Sequence, residues 1–307
     1  ATPSWPSCWR GVASATTTSY LDQGLAANAS YSYRVAAVSS SGATGTFSAA
    51  VTATTLASAP PPPGQTSGDR PRGLFVLGST DVANEIAPLD FIDGVAVRLG
   101  WDAANPADGT YDFALIDQTL AALQAGRKRL NVEAFAVTPP AWVLASVPAD
   151  QQWDAHAPGG TTVRTAVPWS GAALQAWEKF MLALADHLVP LADGTLVRFA
   201  DHPTLMIVDA PIVGLQGVRD LTGTLTTLPG YSRTVFIDAV ARSVRASRSA
   251  FRDKFGFLAF FKMNDAAQTP ALDQELMDRL TTEFNNPGQP TLGYFQENLS
   301  DAGPTPS

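Results

Sequence analysis

The chain has 307 residues, a formal net charge of −8, and 45% hydrophobic residues. Its length and apolar content suffice for one large folded domain and a smaller one. The acidic balance argues against nucleic acid or an anionic membrane surface as a partner. No apolar run reaches the ~20 residues that span a bilayer. The single cysteine, Cys8, excludes an internal disulfide and a multi-cysteine metal site.

The first 56 residues are poor in charge and rich in Ser, Thr and Ala. Residues 31–38 alternate large and small side chains, as a half-buried strand does, and residues 47–54 read as a second strand. Together with the motif at 18–25, they resemble the last half of a fibronectin type III domain. Residues 1–15 do not match its front half. The sequence therefore predicts a partial, all-β fibronectin type III-like module over residues 1–56.

A proline-rich linker is predicted at residues 57–72. Four consecutive prolines at 60–63 precede a run of Gly, Gln, Thr and Ser, a composition typical of an extended, semi-rigid tether. The second domain then occupies residues 73–307.

From residue 73 onward, apolar strands alternate with helical patterns. Strands are predicted at 73–78, 95–100, 130–137, 204–208, 255–263 and 291–299, and helices from about 112 and at 171–188, 231–251 and 271–284. Residues 146–168 read as a long loop. This alternation indicates a parallel sheet covered by helices. The fold class is α/β, of the (β/α)₈ TIM-barrel type, and it is expected to be incomplete because six strands are visible where a barrel needs eight.

Short motifs in this domain resemble TIM-barrel glycoside hydrolases of the β-galactosidase-like groups. They are Val-Arg-Leu-Gly-Trp-Asp at 97–102, Thr-Pro-Pro-Ala-Trp at 138–142, Val-Pro-Trp-Ser at 167–170 and Gly-Tyr-Ser at 230–232. The matches are scattered over residues 73–300 in the order that the family shows. A fibronectin-like module on a proline-rich tether is also common in secreted bacterial polysaccharide-degrading enzymes, and we therefore expect secretion, although no signal peptide is visible in the chain.

The resemblance implies hydrolysis of glycosidic bonds by two carboxyl groups. The family carries its acid/base just after the fourth strand, usually as a Glu near the position of Gln216, and glutamine cannot donate an acidic proton. Asp209 is the nearest carboxyl group and is predicted to be the acid/base. The strand that carries the family's nucleophile, the seventh, has no counterpart here, so Glu297, after the sixth strand, is predicted to be the second catalytic carboxylate.

Further residues are candidates for substrate binding. Arg98 and Glu133 lie on neighbouring predicted strands and form either a structural ion pair or part of a sugar site. Asp102 is a loop cap or an acceptor for a sugar hydroxyl, and the loop tryptophans are either walls of sugar subsites or loop anchors. Trp177, at core spacing on a helix, is assigned to packing. The full set of predicted binding residues is Arg98, Trp101, Asp102, Glu133, Trp142, Trp169, Gln216 and Asn298.

The leading hypothesis is a glycoside hydrolase, and the alternative is a non-catalytic carbohydrate-binding or scaffold protein derived from such a barrel. An esterase lacks support because there is no Gly-x-Ser-x-Gly motif. His156, His187 and His202 lack metal-ligand spacing; His187 and His202 are expected to be solvated or capping. No metal or cofactor is predicted, and the oligomeric state is open, although an unclosed barrel would expose strand edges that favour self-association.

Overall fold

The computed structural model describes residues 29–55 and 71–295. Residues 40, 42, 79, 87, 157–160, 221–223, 264–271 and 287–288 fall outside this description. So do Cys8, the four linker prolines, Glu297 and Asn298, which were singled out in the sequence. The chain divides into two compact units, Ala1–Ser58 and Ala59–Ser307. Within the described part, no helix is long and apolar enough to cross a membrane.

The first unit contains an antiparallel pair of strands. Strand β1 (Ser30–Tyr33) pairs with β2 (Val51–Thr54), with Ser30 opposite Thr54 and Tyr33 opposite Val51. Hydroxyl groups bond across the pair, because Ser30 Oγ lies 2.7 Å from Thr54 Oγ1. Both strands are shorter than predicted, and every residue of β2 is exposed. The relationship to fibronectin type III domains also depends on residues outside the described part, and it stays a prediction.

The second unit alternates strands and helices. The strands of its central sheet are β3 (Phe75–Gly78), β4 (Gly94–Gly100), β5 (Arg129–Phe135), β10 (Leu205–Val208), β11 (Val218–Asp220), β12 (Gly256–Met263) and β15 (Leu292–Phe295). The long helices are α3 (Ala114–Gly126), α5 (Gly171–Asp186), α6 (Arg233–Ala250) and α7 (Leu272–Phe284). All six predicted strands and all four predicted helices are confirmed.

Short elements complete the unit. They are the helices α1 (Thr80–Ile86), α2 (Trp101–Ala104) and α4 (Ala141–Ser146), and the hairpins β6 (Gln152–His156) with β7 (Thr162–Ala166), β8 (Leu188–Pro190) with β9 (Leu196–Arg198), and β13 (Asn285–Asn286) with β14 (Gln289–Pro290). The prediction of a loop over residues 146–168 is wrong. The hairpin β6–β7 occupies most of it and buries Trp153, which is only 5% exposed.

The strands of the central sheet are parallel and lie in chain order. Strands β3, β4, β5 and β10 are consecutive neighbours, and β12 lies between β11 and β15. A parallel bridge between Ile207 and Phe255 joins the two groups, and Val208 N donates to Phe255 O at 2.9 Å. A doubly wound sheet would reverse its strand order. The sequential order β3-β4-β5-β10-β12-β15 is that of a (β/α) barrel, which confirms the predicted fold class over six strands.

The sheet is strongly curved. Five inter-strand steps of ~4.8 Å would place the first and last strands about 24 Å apart in a flat sheet. Yet Leu77 on β3 and Phe295 on β15 line the same cavity. The sheet therefore bends so that its first and last strands approach each other, as in a β-barrel.

The two faces of the sheet differ in burial, as β5 shows. Leu130, Val132 and Ala134 are at most 3% exposed, and they pack in the core that the surrounding helices share. Glu133 and Phe135, the alternate residues, are only partly buried. Side chains alternate between faces along a strand, so we call the first the helix-covered face and the second the concave face.

Arginine–carboxylate pairs tie the outer helices together. Arg242 on α6 makes a two-pronged contact with Glu178 on α5, with N–O distances of 2.6 and 2.9 Å. Arg233 and Arg245 on α6 pair with Glu275 and Glu283 on α7. These contacts fix the order α5–α6–α7 around the outside of the curved sheet.

Two lysines, Lys128 buried and Lys254 partly buried, mark the amino-terminal ends of the strands. Lys128, just before β5, donates to the carbonyls of Leu89 and Ile92, at 2.7 Å each. Lys254, just before β12, donates to His202 O at 2.9 Å, and burial lowers the pKa of its ammonium to about 8.

His202 does not lie in solvent as predicted. Its ring is fully buried, and Nδ1 accepts a hydrogen bond from Thr204 N at 3.2 Å. Burial lowers the pKa of His202 to about 4, because a charged imidazole would lose its hydration there. His187 instead lies near the surface and contacts Asp117 at 2.7 Å.

Candidate active site

One cavity of about 230 Å³ lies on the concave face, where the strands end. A water molecule takes up about 30 Å³ in the liquid, so the cavity has room for a much larger chemical group. Each of the six strands in the order β3-β4-β5-β10-β12-β15 contributes to the lining of the cavity, either with one of its own side chains or with the residue that follows the strand. The lining includes Leu77, Arg98, Glu133, Phe135, Asp209, Phe257, Ala259 and Phe295, with Leu215 and Gln216 from the loop after β10. In barrel enzymes, active sites form at this end of the strands.

The strand register brings Arg98, Glu133 and Asp209 into one row. Arg98 on β4 is the direct partner of Glu133 on β5. Asp209 follows β10, and its N–H donates to Val132 O at 2.9 Å, which places Asp209 beside Glu133. Parallel neighbours lie ~4.8 Å apart, so three ionisable side chains from three strands meet at one wall of the cavity.

Arg98 and Glu133 form the ion pair that the sequence left as one of two alternatives. Arg98 Nε donates to Glu133 Oε2 at 3.0 Å. The guanidinium carbon of Arg98 also lies 5.3 Å from the centre of the Phe135 ring, within the range of a cation–π contact. Both side chains remain partly exposed to the cavity, Arg98 at 42% and Glu133 at 21%, so the pair is open to a ligand.

Asp209 is the most electrostatically perturbed group in the row. Its Oδ1 atom is buried and has no hydrogen-bond partner among the described residues. Burial raises the pKa of the Asp209 carboxyl well above its ordinary value, and the nearby negative charge of Glu133 raises it further. Both effects disfavour the ionised form. The site therefore combines a carboxyl group that is biased toward its protonated form with a neighbouring arginine–carboxylate pair.

The backbone around Asp209 is held from two sides. Ser247 Oγ on α6 donates to Asp209 O at 3.0 Å, while the Asp209 N–H is bound to β5. These contacts fix the position of the Asp209 main chain.

The loop that carries Gln216 packs closely on the barrel. Gly214 has a φ of 76°, and a Cβ atom there would lie 2.0 Å from Ala166 O, so a side chain cannot be accommodated at this position. The Gly214 N–H donates to Ala136 O at 3.1 Å. Gln216, two residues later, lines the cavity.

The three loop tryptophans do not line the cavity. Trp101 is fully buried and packs edge-on against Trp177 at 5.1 Å, because α2 begins at Trp101 and directs its indole into the core beneath α5. The structure thus corrects the prediction that Trp101 binds substrate. Trp142 donates from Nε1 to Asn105 O at 3.0 Å, and the Trp169 ring lies 5.8 Å from that of Tyr231.

The remaining predicted site residues separate into two groups. Asp102 is exposed on α2 and is not part of the cavity lining. Glu297 and Asn298 lie outside the described residues. Within the described part of the chain, no group of three His, Cys, Asp or Glu side chains could hold a metal ion.

Sequence reasoning missed the aromatic wall of the cavity. Phe257 and Phe295 line it, and the Phe257 ring lies 5.1 Å from Phe255 and 5.9 Å from Phe295. The signal was present as the two-residue spacing of Phe255 and Phe257 in a predicted strand, which places both side chains on one face. The spacing does not show whether that face of the strand lies on the concave or on the helix-covered side of the sheet.

No family model and no curated protein matches the chain. It is similar in structure to an endo-1,4-beta-xylanase from Caldicellulosiruptor owensensis, with 12% identity and a TM-score of 0.43 over 73% of this chain and 59% of that one. For xylanase B from Clostridium stercorarium F9 the values are 13% and 0.45, over 73% and 61%. For endo-glycoceramidase II from Rhodococcus sp. they are 15% and 0.40, over 73% and 55%. The chain thus spans about three fifths of the length of these proteins, and its fold assignment rests on the strand order and register described above.

Proposed function

We propose that the chain hydrolyses glycosidic bonds at the cavity on the concave face, with Asp209 as the proton donor. The observation that carries the proposal is the position of Asp209, at the end of the fourth barrel strand, with a buried carboxyl group whose pKa is raised. A general acid must still hold its proton at the working pH. Burial and the nearby charge of Glu133 both shift the pKa of Asp209 in the direction that a general acid needs.

The proposed mechanism uses the acid and a second carboxylate. Asp209 gives its proton to the glycosidic oxygen as the bond from that oxygen to the anomeric carbon breaks, and water finally supplies the hydroxyl on the sugar. Glu297, which follows Phe295 by two residues in the sequence, is proposed as the second carboxylate. Arg98, Glu133 and Gln216 are proposed to bind sugar hydroxyls, because they are the polar side chains of the described cavity lining besides Asp209.

Three wider expectations belong to the same proposal. They are a relationship to the β-galactosidase-like barrels, a fibronectin type III-like module over residues 1–56, and a secreted location in which a poly- or oligosaccharide is the substrate. The sequence motifs and the proline-rich segment support them. Asn298 is kept as a proposed binding residue on the same sequence argument.

The test is a panel of aryl glycosides and plant polysaccharides, assayed with the 307-residue chain and with Asp209→Asn. We expect hydrolysis of at least one substrate and a fall in kcat of about 10²–10⁴-fold in the variant, the usual contribution of a general acid. The matched control is Asp193→Asn, since Asp193 is exposed in the β8–β9 turn. Activity that survives unchanged in Asp209→Asn would remove Asp209 from the mechanism.

A second candidate is a carbohydrate-binding protein without catalysis. The observation that favours it is Gln216, an amide that lines the cavity near the position where related barrels carry a catalytic carboxyl group. Calorimetric titration with oligosaccharides distinguishes the two. Binding without turnover, unaffected by Asp209→Asn, would support this candidate over hydrolysis.

A further inference from the structure

The cavity has two walls of opposite character. The charged wall consists of Arg98, Glu133 and Asp209, described above. The apolar wall consists of Phe257, Phe295 and Leu77, on the strands to either side of the charged row. Leu77 is 48% exposed and Phe295 36% exposed, although large apolar side chains are normally buried. An exposed apolar wall beside the charged wall suits a ligand that carries both a polar and an apolar part.

Glycine at position 293 makes room for this wall. A Cβ atom on Gly293 would lie 2.8 Å from Cε1 of Phe257 and 2.9 Å from Cε1 of Phe255. The two phenyl rings therefore occupy the space that any side chain at 293 would need. Strand β15 thus supplies one large side chain, Phe295, and leaves the preceding position on the same face empty for the rings of β12.

The geometry of the rings argues against a sugar on this wall. Sugars stack on the flat face of an aromatic ring, but Phe257 and Phe295, the two rings of this wall, are inclined by 84° to each other. The edge-to-face rings form a corrugated surface. A sugar also has hydroxyl groups whose burial without partners is costly, and the polar side chains of the described lining lie on the charged wall and the Gln216 loop.

We propose that the substrate is a glycoside with an apolar aglycone, alkyl or aryl, whose hydrocarbon part packs on Phe257, Phe295 and Leu77 while its glycosidic oxygen faces Asp209. This inference rests on the proposed function and narrows its substrate, in place of a polysaccharide, to a sugar or oligosaccharide joined to an apolar aglycone. It assigns the charged wall to the sugar and the apolar wall to the leaving group. The proton from Asp209 then reaches the oxygen at the boundary between the two walls.

The experiment compares methyl, butyl and octyl glycosides, and a phenyl glycoside, of each sugar that the activity panel identifies, below their micellar concentrations. Burying one methylene contributes about 0.8 kcal/mol, or about fourfold. On a partly open wall we expect kcat/KM to rise about 2- to 4-fold per added methylene from methyl to butyl. The alkyl and phenyl arms show which kind of aglycone fits best.

Two matched variants locate the effect. Phe295→Ser should flatten the dependence on chain length, and Phe91→Ser should leave both that dependence and the turnover of the methyl glycoside intact. Phe91 is 69% exposed in the loop before β4 and is not part of the cavity lining. Near-ultraviolet circular dichroism of each variant shows whether it is folded, and Leu77→Ser provides a second test of the wall from β3.

The outcomes separate the inference from the proposed function. Turnover of methyl glycosides and oligosaccharides with no gain from methyl to octyl would overturn the inference and leave hydrolysis standing. Binding that strengthens with chain length without any turnover, measured by calorimetry on the wild-type chain, would support the apolar site and overturn hydrolysis. A chain-length dependence that Phe295→Ser and Leu77→Ser both leave unchanged would also overturn the inference.

Discussion

The two ends of the parallel strands bury ionisable groups in different ways. At the amino-terminal ends, the ammonium groups of Lys128 and Lys254 donate to backbone carbonyls. At the carboxyl ends, Asp209 Oδ1 has no partner among the described residues and lies at a cavity. A buried charge that donates to fixed carbonyls stabilises the segments that it joins. A buried carboxyl group without a partner instead destabilises the fold, and a functional role would explain why it is present. The comparison separates groups that hold the barrel together from groups that act on a ligand.

The same comparison extends to pH. His202, at the amino-terminal end, is neutral when buried, and its pKa is lowered. Asp209, at the carboxyl end, is also driven toward its neutral form, but for an acid this raises the pKa. The two ends therefore respond to pH with opposite signs, because the folded state binds fewer protons than the unfolded state at His202 and more at Asp209.

The largest expected effect is the separation of activity from stability at Asp209. Asp209→Asn should lower kcat by about 10²–10⁴-fold without lowering the free energy of unfolding. At pH 7 the free energy of unfolding should rise. In the wild type, Asp209 ionises more readily in the unfolded chain than in the folded one, which favours unfolding as the pH increases above the unfolded pKa. The amide of the variant removes this effect. Urea denaturation at pH 4 and 7 measures this. A variant that is inactive because it is unfolded at both pH values would contradict the assignment.

At the amino-terminal ends, Lys128→Met should have the reverse effect. It removes two charge-assisted hydrogen bonds to backbone carbonyls, and we expect the free energy of unfolding to fall by about 3 kcal/mol. The matched control is Lys179→Met, because Lys179 is 53% exposed and reaches Asp108 only at 4.0 Å. For that variant we expect a change below about 1 kcal/mol. Equal losses in the two variants would show that the buried contacts of Lys128 do not stabilise the fold.

Acid should destabilise the protein through His202. The contribution is fully present above the unfolded pKa of 6.5 and is lost as pH falls toward the folded pKa of about 4. The difference between these two pKa values corresponds to a loss on the order of 3 kcal/mol in the free energy of unfolding. His202→Gln should remove this part of the pH dependence between pH 6.5 and 4, as followed by denaturant unfolding. An unchanged slope in the variant would mean that His202 is already accessible to protons in the folded state.

The smallest expected effect is a change in the pH profile at the charged wall. Glu133→Gln removes the negative charge that helps to raise the pKa of Asp209. If protonated Asp209 is the active form, kcat/KM falls on the alkaline side, and the variant should move that limb toward lower pH. The measurement is the pH profile of kcat/KM, with Asp193→Asn as the control. A limb that moves toward higher pH would contradict the coupling of the two carboxyl groups.

The strand positions and the pairing of Arg98 with Glu133 could be predicted, because the alternation of apolar residues along a strand is a local property. Apolar runs defined all six strands, and the register then brought Arg98, Glu133 and Asp209 together. Trp101 was misassigned because its burial depends on α2, a four-residue helix with little sequence signal. The phenyl wall was missed because only the tertiary curvature of the sheet decides which face of β12 lines a cavity.

The hairpin β6–β7 shows a second limit of sequence reasoning. Its two strands have five residues each and are separated by a glycine-containing segment, which is typical of a loop. The pairing of Gln152 with Ala166 through His156 with Thr162 is visible only in the folded structure. Burial of Trp153 then supplies the packing that stabilises so short a hairpin.

The most direct measurement of the central claim is the ionisation of Asp209 itself. Carbon-detected nuclear magnetic resonance of the aspartate side-chain carboxyl carbons, assigned with Asp209→Asn, follows each group through a pH titration. We predict that the Asp209 signal keeps the chemical shift of a protonated carboxyl group at pH values where Asp193 is already ionised. A titration of Asp209 near the ordinary aspartate value, about 3.9, would contradict its assignment as the proton donor.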